Sequence, residues 1–431
     1  MKYLESLNEA QKRSVLAKDG PISVLAGAGS GKTKVLTTRI YHLIRSGVPA
    51  EKILAVTFTN KAAREMRERV RAMLGVGSEG PRAPSPSGLP FIATFHGLGR
   101  ELLESYGKAI GIPRFFSVYD RDDSEKIIAK ALKALDVGAK ELSLRIIMSR
   151  ISRAKGEGMD AKAFYEKHGR LGFGNRIASE VWLRYEKELR EEKALDFDDL
   201  ITLPVRLLEE HPDIRALAQD RWDYIHIDEY QDTNALQARL ANMLAEKHKN
   251  LFVVGDIDQT IYTWRGATIE NLLEFDKRYP EAPTIILERN YRSTKNLVDA
   301  ANAVIEKNKN RKEKYATTEK AAGEPIVVHM AVNAEDEARW VARKIRALIR
   351  GGGKPEDIAI LFRTNFQSRA IEEGLLRANI PYKLLGTRFF QRKEVKDVLA
   401  WMRLALEPSR EADKIRAVAS PPRGIGAVTL A

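Results

Sequence analysis

The sequence contains no cysteine, which excludes disulfides and thiolate metal sites. It has only 7 histidines, and they are unclustered, so no zinc site is expected. No run of about 18 apolar residues occurs, so there is no candidate transmembrane helix and no membrane partner is expected. The opening residues, MKYLESLNEAQKRSV, lack the apolar centre of a signal peptide. Together these absences point to the cytosol. What is present is a chain of 431 residues, long enough for about three domains. At 44% hydrophobic and 30% charged it reads as globular. Its net charge of +13 favours a polyanionic partner, of which nucleic acid is the commonest.

Strand and helix signals alternate over the first 100 or so residues. Pro21–Leu25, Ile53–Thr59 and Phe91–Phe95 read as short apolar strands with helical stretches between them. That alternation predicts an α/β fold with a parallel sheet. Residues 75–90 (GVGSEGPRAPSPSGLP) read as a surface loop. Residues 104–195 lack strand signals. The spacing of Ile127, Ile128, Leu132 and Leu135 predicts a helical insertion there. Strands resume at Tyr224–Asp228 and Leu251–Gly255. A third group, Thr284–Leu287, Ile326–His329 and Ile358–Phe362, predicts a second α/β lobe starting near residue 281.

Two segments carry chemistry. Gly27-Ala28-Gly29-Ser30-Gly31-Lys32-Thr33 matches the phosphate-binding pattern G-x-x-x-x-G-K-[ST], and it lies between an expected strand and an expected helix. Glycine lets the backbone turn its N–H groups onto phosphates, and the helix N-terminus adds positive potential. Lys32 is expected to reach the β- and γ-phosphates, and Thr33 to ligate Mg²⁺. Asp228 and Glu229 end an apolar strand. In a fold of this kind Asp228 is expected to hold Mg²⁺ and Glu229 to act as general base on the attacking water.

The acids run on as Asp228-Glu229-Tyr230-Gln231-Asp232-Thr233, which resembles the DExQDT box of the UvrD/Rep/PcrA superfamily 1 DNA helicases. Six more segments resemble that family's motifs, in order. They are Leu7-Asn8 with Gln11; Thr57–Ala63; Thr94-Phe95-His96; Val254–Gln259 with Tyr262–Ala267; Leu287–Ser293; and Phe362–Asn365 with Gln367-Ser368-Arg369. The resemblance implies a P-loop NTPase lobe of RecA type, residues 1–103 and 196–280, interrupted by the helical insertion at 104–195. Part of a second such lobe would follow at 281–405, and the start of an insertion in it at 406–431.

The resemblance also implies residue roles. ATP would sit on residues Ala26 to Thr33, with Gln11 reading the adenine edge, Arg39 flanking the base and Tyr291 stacking on it. Gln259 would sense the γ-phosphate, and Arg292 would be an arginine finger. Phe58, Phe95, Tyr262 and Trp264 would stack bases of single-stranded DNA, a contact indifferent to sequence. Asn60, Lys61, His96, Arg265 and Asn365 would touch its backbone. The implied activity is DNA-dependent ATP hydrolysis with 3′–5′ translocation and duplex unwinding at DNA junctions, in repair or replication restart. The same motifs fit a translocase, a motor subunit of a helicase–nuclease complex, or a binding fragment with little turnover. Counterparts of the family's motifs V and VI are not found in these 431 residues. The chain is therefore expected to be C-terminally incomplete, and to bind nucleotide and single-stranded DNA while hydrolysing ATP poorly.

Overall fold

A computed structural model describes residues 2–17, 19–76, 88–138, 142–263, 266–309, 311–385, 393–406 and 411–421. The expected loop at 75–90 falls largely outside these. The chain divides into two compact units, Met1–Ile326 and Val327–Ala431.

The first unit is built on β1 (Ile22–Ala26), β2 (Ile53–Thr57), β3 (Phe91–Thr94), β6 (Tyr224–Ile227), β7 (Leu251–Gly255) and β8 (Thr284–Leu287). A two-stranded pair, β4 (Ser117–Val118) and β5 (Ala194–Leu195), stands apart. The main sheet runs β3-β2-β6-β7-β1-β8, and every pairing in it is parallel. A parallel sheet is covered on both faces, so its strands are apolar throughout and their side chains alternate between two cores. In β1, Ile22, Val24 and Ala26 enter one core and Leu25 the other. In β7, Phe252 and Val254 join the first and Leu251 and Val253 the second.

Thr284–Leu287 was expected to open a second lobe. It instead pairs with β1 in register Ser23↔Thr284 and completes the first sheet. Its apolar residues close the β1 edge, burying Ile285 and Leu287 in the same core as Ile22 and Val24.

The insertion is helical as expected. Helices Arg121–Ala134, Leu144–Gly156, Ala161–His168 and Phe173–Glu191 enclose a core of their own around Trp182, and Ile127, Ile128 and Leu132 contribute to it. Lys155 is buried beside this core. Its Nζ donates to Asp196 Oδ2 at 2.7 Å and to Asp199 Oδ1 at 2.6 Å. Tyr185 donates to Asp196 Oδ2 at 3.0 Å. This cluster fastens the insertion to the loop on which the chain returns to the sheet.

The second unit packs helix Ala334–Arg350 against helix Gln367–Arg377, around Ala342, Ile345, Ile371, Leu375 and Ile380. The strands expected at Ile326–His329 and Ile358–Phe362 do not form. Among the described residues no ladder partner pairs with them, and Val328 and Leu361 are exposed. Without a partner's N–H and C=O groups, an apolar alternating segment stays extended chain.

Candidate functional site

The phosphate-binding pattern forms a tight loop between β1 and helix Lys32–Arg45. Gly29 and Gly31 have φ of 67° and 88°, which strain any residue with a Cβ. Space forbids one as well. A Cβ on Gly29 would lie 2.9 Å from the Asn290 amide, and one on Gly31 2.9 Å from Gln11 Nε2. The loop is braced from both sides. Gln11 Nε2 donates to the Ser30 carbonyl at 2.8 Å, and Ser30 Oγ to the Gly27 carbonyl at 2.7 Å. Asn290 Nδ2 donates to the Ala28 carbonyl at 2.8 Å, and the Tyr291 N–H to the Gly29 carbonyl at 2.9 Å. The 290–292 segment thus lies directly on the loop, with Tyr291 and Arg292 exposed beside it.

Of the two adenine-side expectations, the one for Arg39 is corrected. Gln11 is buried and both ends of its amide are engaged. Its Oε1 accepts from the Asn8 N–H at 3.1 Å in a capping box, and its Nε2 holds Ser30. In this arrangement Gln11 shapes the phosphate loop. Arg39 does not flank the nucleotide. Its guanidinium is buried, donates to the carbonyls of Val15 at 3.1 Å and Ala17 at 2.9 Å, and lies over the Phe252 ring. Burial lowers its pKa to about 10. Facing the capping box are instead Lys34, whose Nζ donates to the Ser6 carbonyl at 2.8 Å, and Tyr291, whose hydroxyl accepts from Asn8 Nδ2 at 2.8 Å. The guanidinium of Arg289 sits over the Tyr291 ring, 4.9 Å from its centroid.

The acids close on the loop. Thr33 Oγ1 donates to Asp228 Oδ2 at 3.3 Å, and Lys32 Nζ lies 3.5 Å from Glu229 Oε2. Burial, and then the neighbouring Glu229 carboxylate, push the Asp228 carboxyl up to about 6, with Lys32 opposing. Asp232 is raised to about 6 for the same two reasons. Anionic oxygens held out of water in this way favour a cation beside them. Among the described residues no group of three or more His, Cys, Asp or Glu side chains could hold a metal ion. One carboxylate and one hydroxyl nevertheless suit Mg²⁺, which takes its remaining ligands from phosphates and water.

Glu229 adopts a left-handed backbone, φ 53°, uncommon for a residue with a Cβ. Its Oε2 accepts from Gln231 Nε2 at 2.8 Å, while Gln231 Oε1 accepts from the Asp256 N–H at 2.9 Å. Gln259 Nε2 donates to Asp256 Oδ2 at 2.5 Å. One chain of hydrogen bonds therefore runs from Glu229 to the segment that carries Gln259.

At the C-terminal ends of β2 and β3 lies a cavity of about 960 Å³, lined by Phe58, Asn60, His96, Phe197, Asn234 and residues of the insertion. The Phe58 and Tyr262 rings are 4.5 Å apart. His96 meets Phe197 edge-on at 5.3 Å. Asn60 and Lys61 are exposed at the start of helix Asn60–Leu74, which Thr59 caps. Phe95 also lines this cavity, but it is 3% exposed and belongs to the core under the sheet, so it offers little ring surface to a base. It starts helix Phe95–Tyr106, whose apolar face, Leu98, Leu102 and Leu103, enters the same core. Phe197, 55% exposed at this cavity, is the aromatic that the sequence reading passed over. Trp264 and Arg265 lie outside the described residues. Asn365 is exposed in the second unit, just before helix Gln367–Arg377.

Residues 7–280 match the UvrD/REP helicase N-terminal domain, and residues 285–431 the UvrD-like helicase C-terminal domain. An ATP-dependent DNA helicase PcrA of Bacillus subtilis is 45% identical over 430 residues, covering 99% of this chain and 57% of that protein. The PcrA of Leuconostoc citreum is 42% identical over 427 residues, and that of Staphylococcus aureus 41% over 425. Each covers 98% of this chain, which in turn covers 56% and 57% of them. The chain thus spans somewhat over half the length of these curated relatives. With a braced phosphate loop, paired acids and an aromatic-lined cavity, and matched from residue 7 onward, this chain belongs to the UvrD/REP helicase family.

Proposed function

We propose that this protein is an ATP-dependent DNA helicase that moves 3′–5′ on single-stranded DNA and opens duplex at junctions, in repair or replication restart in the cytosol. The observation that carries the nucleotide half is the approach of Thr33 to Asp228 at 3.3 Å and of Lys32 to Glu229 at 3.5 Å. Polarity and pathway rest on family likeness alone. The first unit would be the ATP-binding lobe with its insertion, and the second unit part of a second lobe.

Lys32 would hold the β- and γ-phosphates of ATP, and Thr33 and Asp228 would hold Mg²⁺. The ion would neutralise charge on the phosphate oxygens. Glu229 would accept a proton from the attacking water, and Gln259 would register the γ-phosphate. Tyr291, standing exposed beside the loop, would stack on the base. Arg292 would approach the transferring phosphoryl group. On the DNA side, Phe58, Tyr262 and Phe197 would stack bases. Asn60, Lys61, His96 and Asn365 would contact sugar and phosphate.

Labelled oligonucleotide and labelled nucleotide binding, measured on the parent, Lys32→Ala and Phe58→Ala, test both halves. Stacking one base on an aromatic ring is worth roughly 1–3 kcal/mol. Phe58→Ala should therefore weaken single-strand binding by about 5- to 150-fold, equally for dT and dA tracts, with nucleotide affinity unchanged. Lys32→Ala should do the reverse. Unchanged nucleotide affinity in Lys32→Ala would overturn the nucleotide half. Unchanged DNA affinity in Phe58→Ala would overturn the track.

A further inference from the structure

The segment following residue 310 contributes to none of the motifs described above, yet it joins two of them. Lys314 is almost fully buried, and its Nζ is bonded to Asp256 Oδ1 and lies 2.7 Å from Asp258 Oδ2. Arg311 is 3.6 Å from the same Asp258 oxygen. The other oxygen of Asp256 accepts the Gln259 amide at 2.5 Å. Three residues on, the Thr317 N–H donates to the Glu288 carbonyl at 2.9 Å, and the Asn290 N–H to the Thr317 carbonyl at 2.6 Å. Lys320 Nζ donates to the Arg292 carbonyl at 2.7 Å. A single stretch of ten residues therefore holds the Gln259 segment at one end and the Asn290–Arg292 segment at the other.

We propose that Lys314 is a positioning residue for Gln259, holding Asp256 so that the Gln259 amide can leave it for a terminal phosphate, and that the 311–320 strap passes this change to the Tyr291–Arg292 loop. The inference rests on the nucleotide reading above and deepens it.

The physics is that of a shared acceptor. Asp256 is 2% exposed, and a carboxylate out of water needs its donors. It has two side-chain donors, Gln259 and Lys314. If Gln259 turns to a γ-phosphate, Lys314 still neutralises Asp256. Without Lys314, Gln259 becomes the only side-chain donor of those two and stays on Asp256. Binding of a triphosphate then loses one charge-assisted contact, while a diphosphate, which never recruits Gln259, loses nothing. The same step leaves the strap's backbone bonds to Glu288 and Asn290 in place, so the shift reaches Tyr291 and Arg292 through a short, hydrogen-bonded path.

The test is the ratio of affinities for a non-hydrolysable ATP analogue and for ADP, with Mg²⁺, on the full chain. Lys314→Gln should weaken analogue binding by about tenfold and leave ADP binding within about twofold. Lys314→Arg, which keeps the charge, should restore most of the preference. Unaltered ADP binding shows that the pocket is folded. If Lys314→Gln alone fails to fold, Lys314→Gln with Asp258→Asn removes one cation and one anion together, and it should show the same loss of preference. Gln259→Ala separates the two readings. If Gln259→Ala abolishes the preference and neither Lys314 variant does, the role of Lys314 is overturned and the sensor stands. If Gln259→Ala leaves the preference intact, the sensor itself is wrong and the inference falls with it.

Discussion

Glu229→Gln is expected to slow single-turnover ATP hydrolysis by about 10²–10⁴-fold, the usual worth of a general base, while nucleotide affinity stays within about twofold. The substitution keeps the shape and removes the ability to accept a proton. The structure gives Glu229 the marks of such a group. It follows the buried acid Asp228 at the end of β6, and its left-handed backbone departs from the strand geometry. Gln231 Nε2 fixes one carboxylate oxygen at 2.8 Å, and Lys32 stands 3.5 Å from it. Affinity is expected to be spared because Lys32 and the loop backbone would carry the phosphate contacts, and glutamine keeps the shape of the side chain beside Lys32. Rapid-quench measurement with enzyme in excess over ATP, with and without single-stranded DNA, reads the step directly. Equal rates for the parent and Glu229→Gln would mean that this chain performs no Glu229-dependent hydrolysis. A large loss of affinity would mean that Glu229 binds rather than catalyses.

What the sequence revealed and what it hid divide along one line. The phosphate loop and the acids were legible because their geometry is local: Gly29 and Gly31 must take left-handed turns, and Lys32 must begin a helix. The helical insertion was legible from the spacing of Ile127, Ile128 and Leu132, because three buried positions on one face fix a helix. Pairing and direction were not legible. Thr284–Leu287 read correctly as a strand, but only the fold decides that its neighbour is β1. Ile358–Phe362 carries the same apolar signal, and no described segment pairs with it. Phe95 and Phe58 each follow a strand-ending Thr and both line the cavity, yet Phe95 is buried in the core and Phe58 is half-buried. Arg39 shows the converse. Its guanidinium is taken up by carbonyls at the end of the first helix, an acceptor set that no motif encodes. Phe197 was readable and was missed. It stands among Asp196, Asp198 and Asp199, an aromatic in a polar stretch, and the same sign singled out Tyr262.

Those acids set the other large effect. Lys155→Met is expected to destabilise the protein by about 3–5 kcal/mol near pH 7.5, the cost of leaving buried carboxylates without their cation. Exposed pairs such as Lys130–Glu188 are screened by solvent and contribute little, so Lys130→Ala is the comparison. The cluster is buried from several elements: Lys155 from helix Leu144–Gly156, Tyr185 from Phe173–Glu191, and Asp196 and Asp199 from the loop after β5 and the helix that follows it. Burial would raise both carboxyls. Lys155 holds Asp196 below the ordinary range, whereas Asp199 still rises to about 7. Asp196, which also accepts from Tyr185, is therefore the ionised partner, and Asp199 takes up a proton first. Without Lys155 both folded-state values lie above the unfolded value of about 3.9, so the penalty is full at high pH and fades as pH falls through them. Urea unfolding of parent and variant at pH 7.5 and pH 5 should show the smaller difference at pH 5. A loss under about 1 kcal/mol at pH 7.5, or one that grows on acidification, would contradict this account of the cluster. The same loop carries Phe197 to the cavity, so single-strand affinity of the folded variant should fall alongside its stability. A variant that loses stability yet grips DNA as the parent does would show that the cluster holds the insertion together without aiming Phe197.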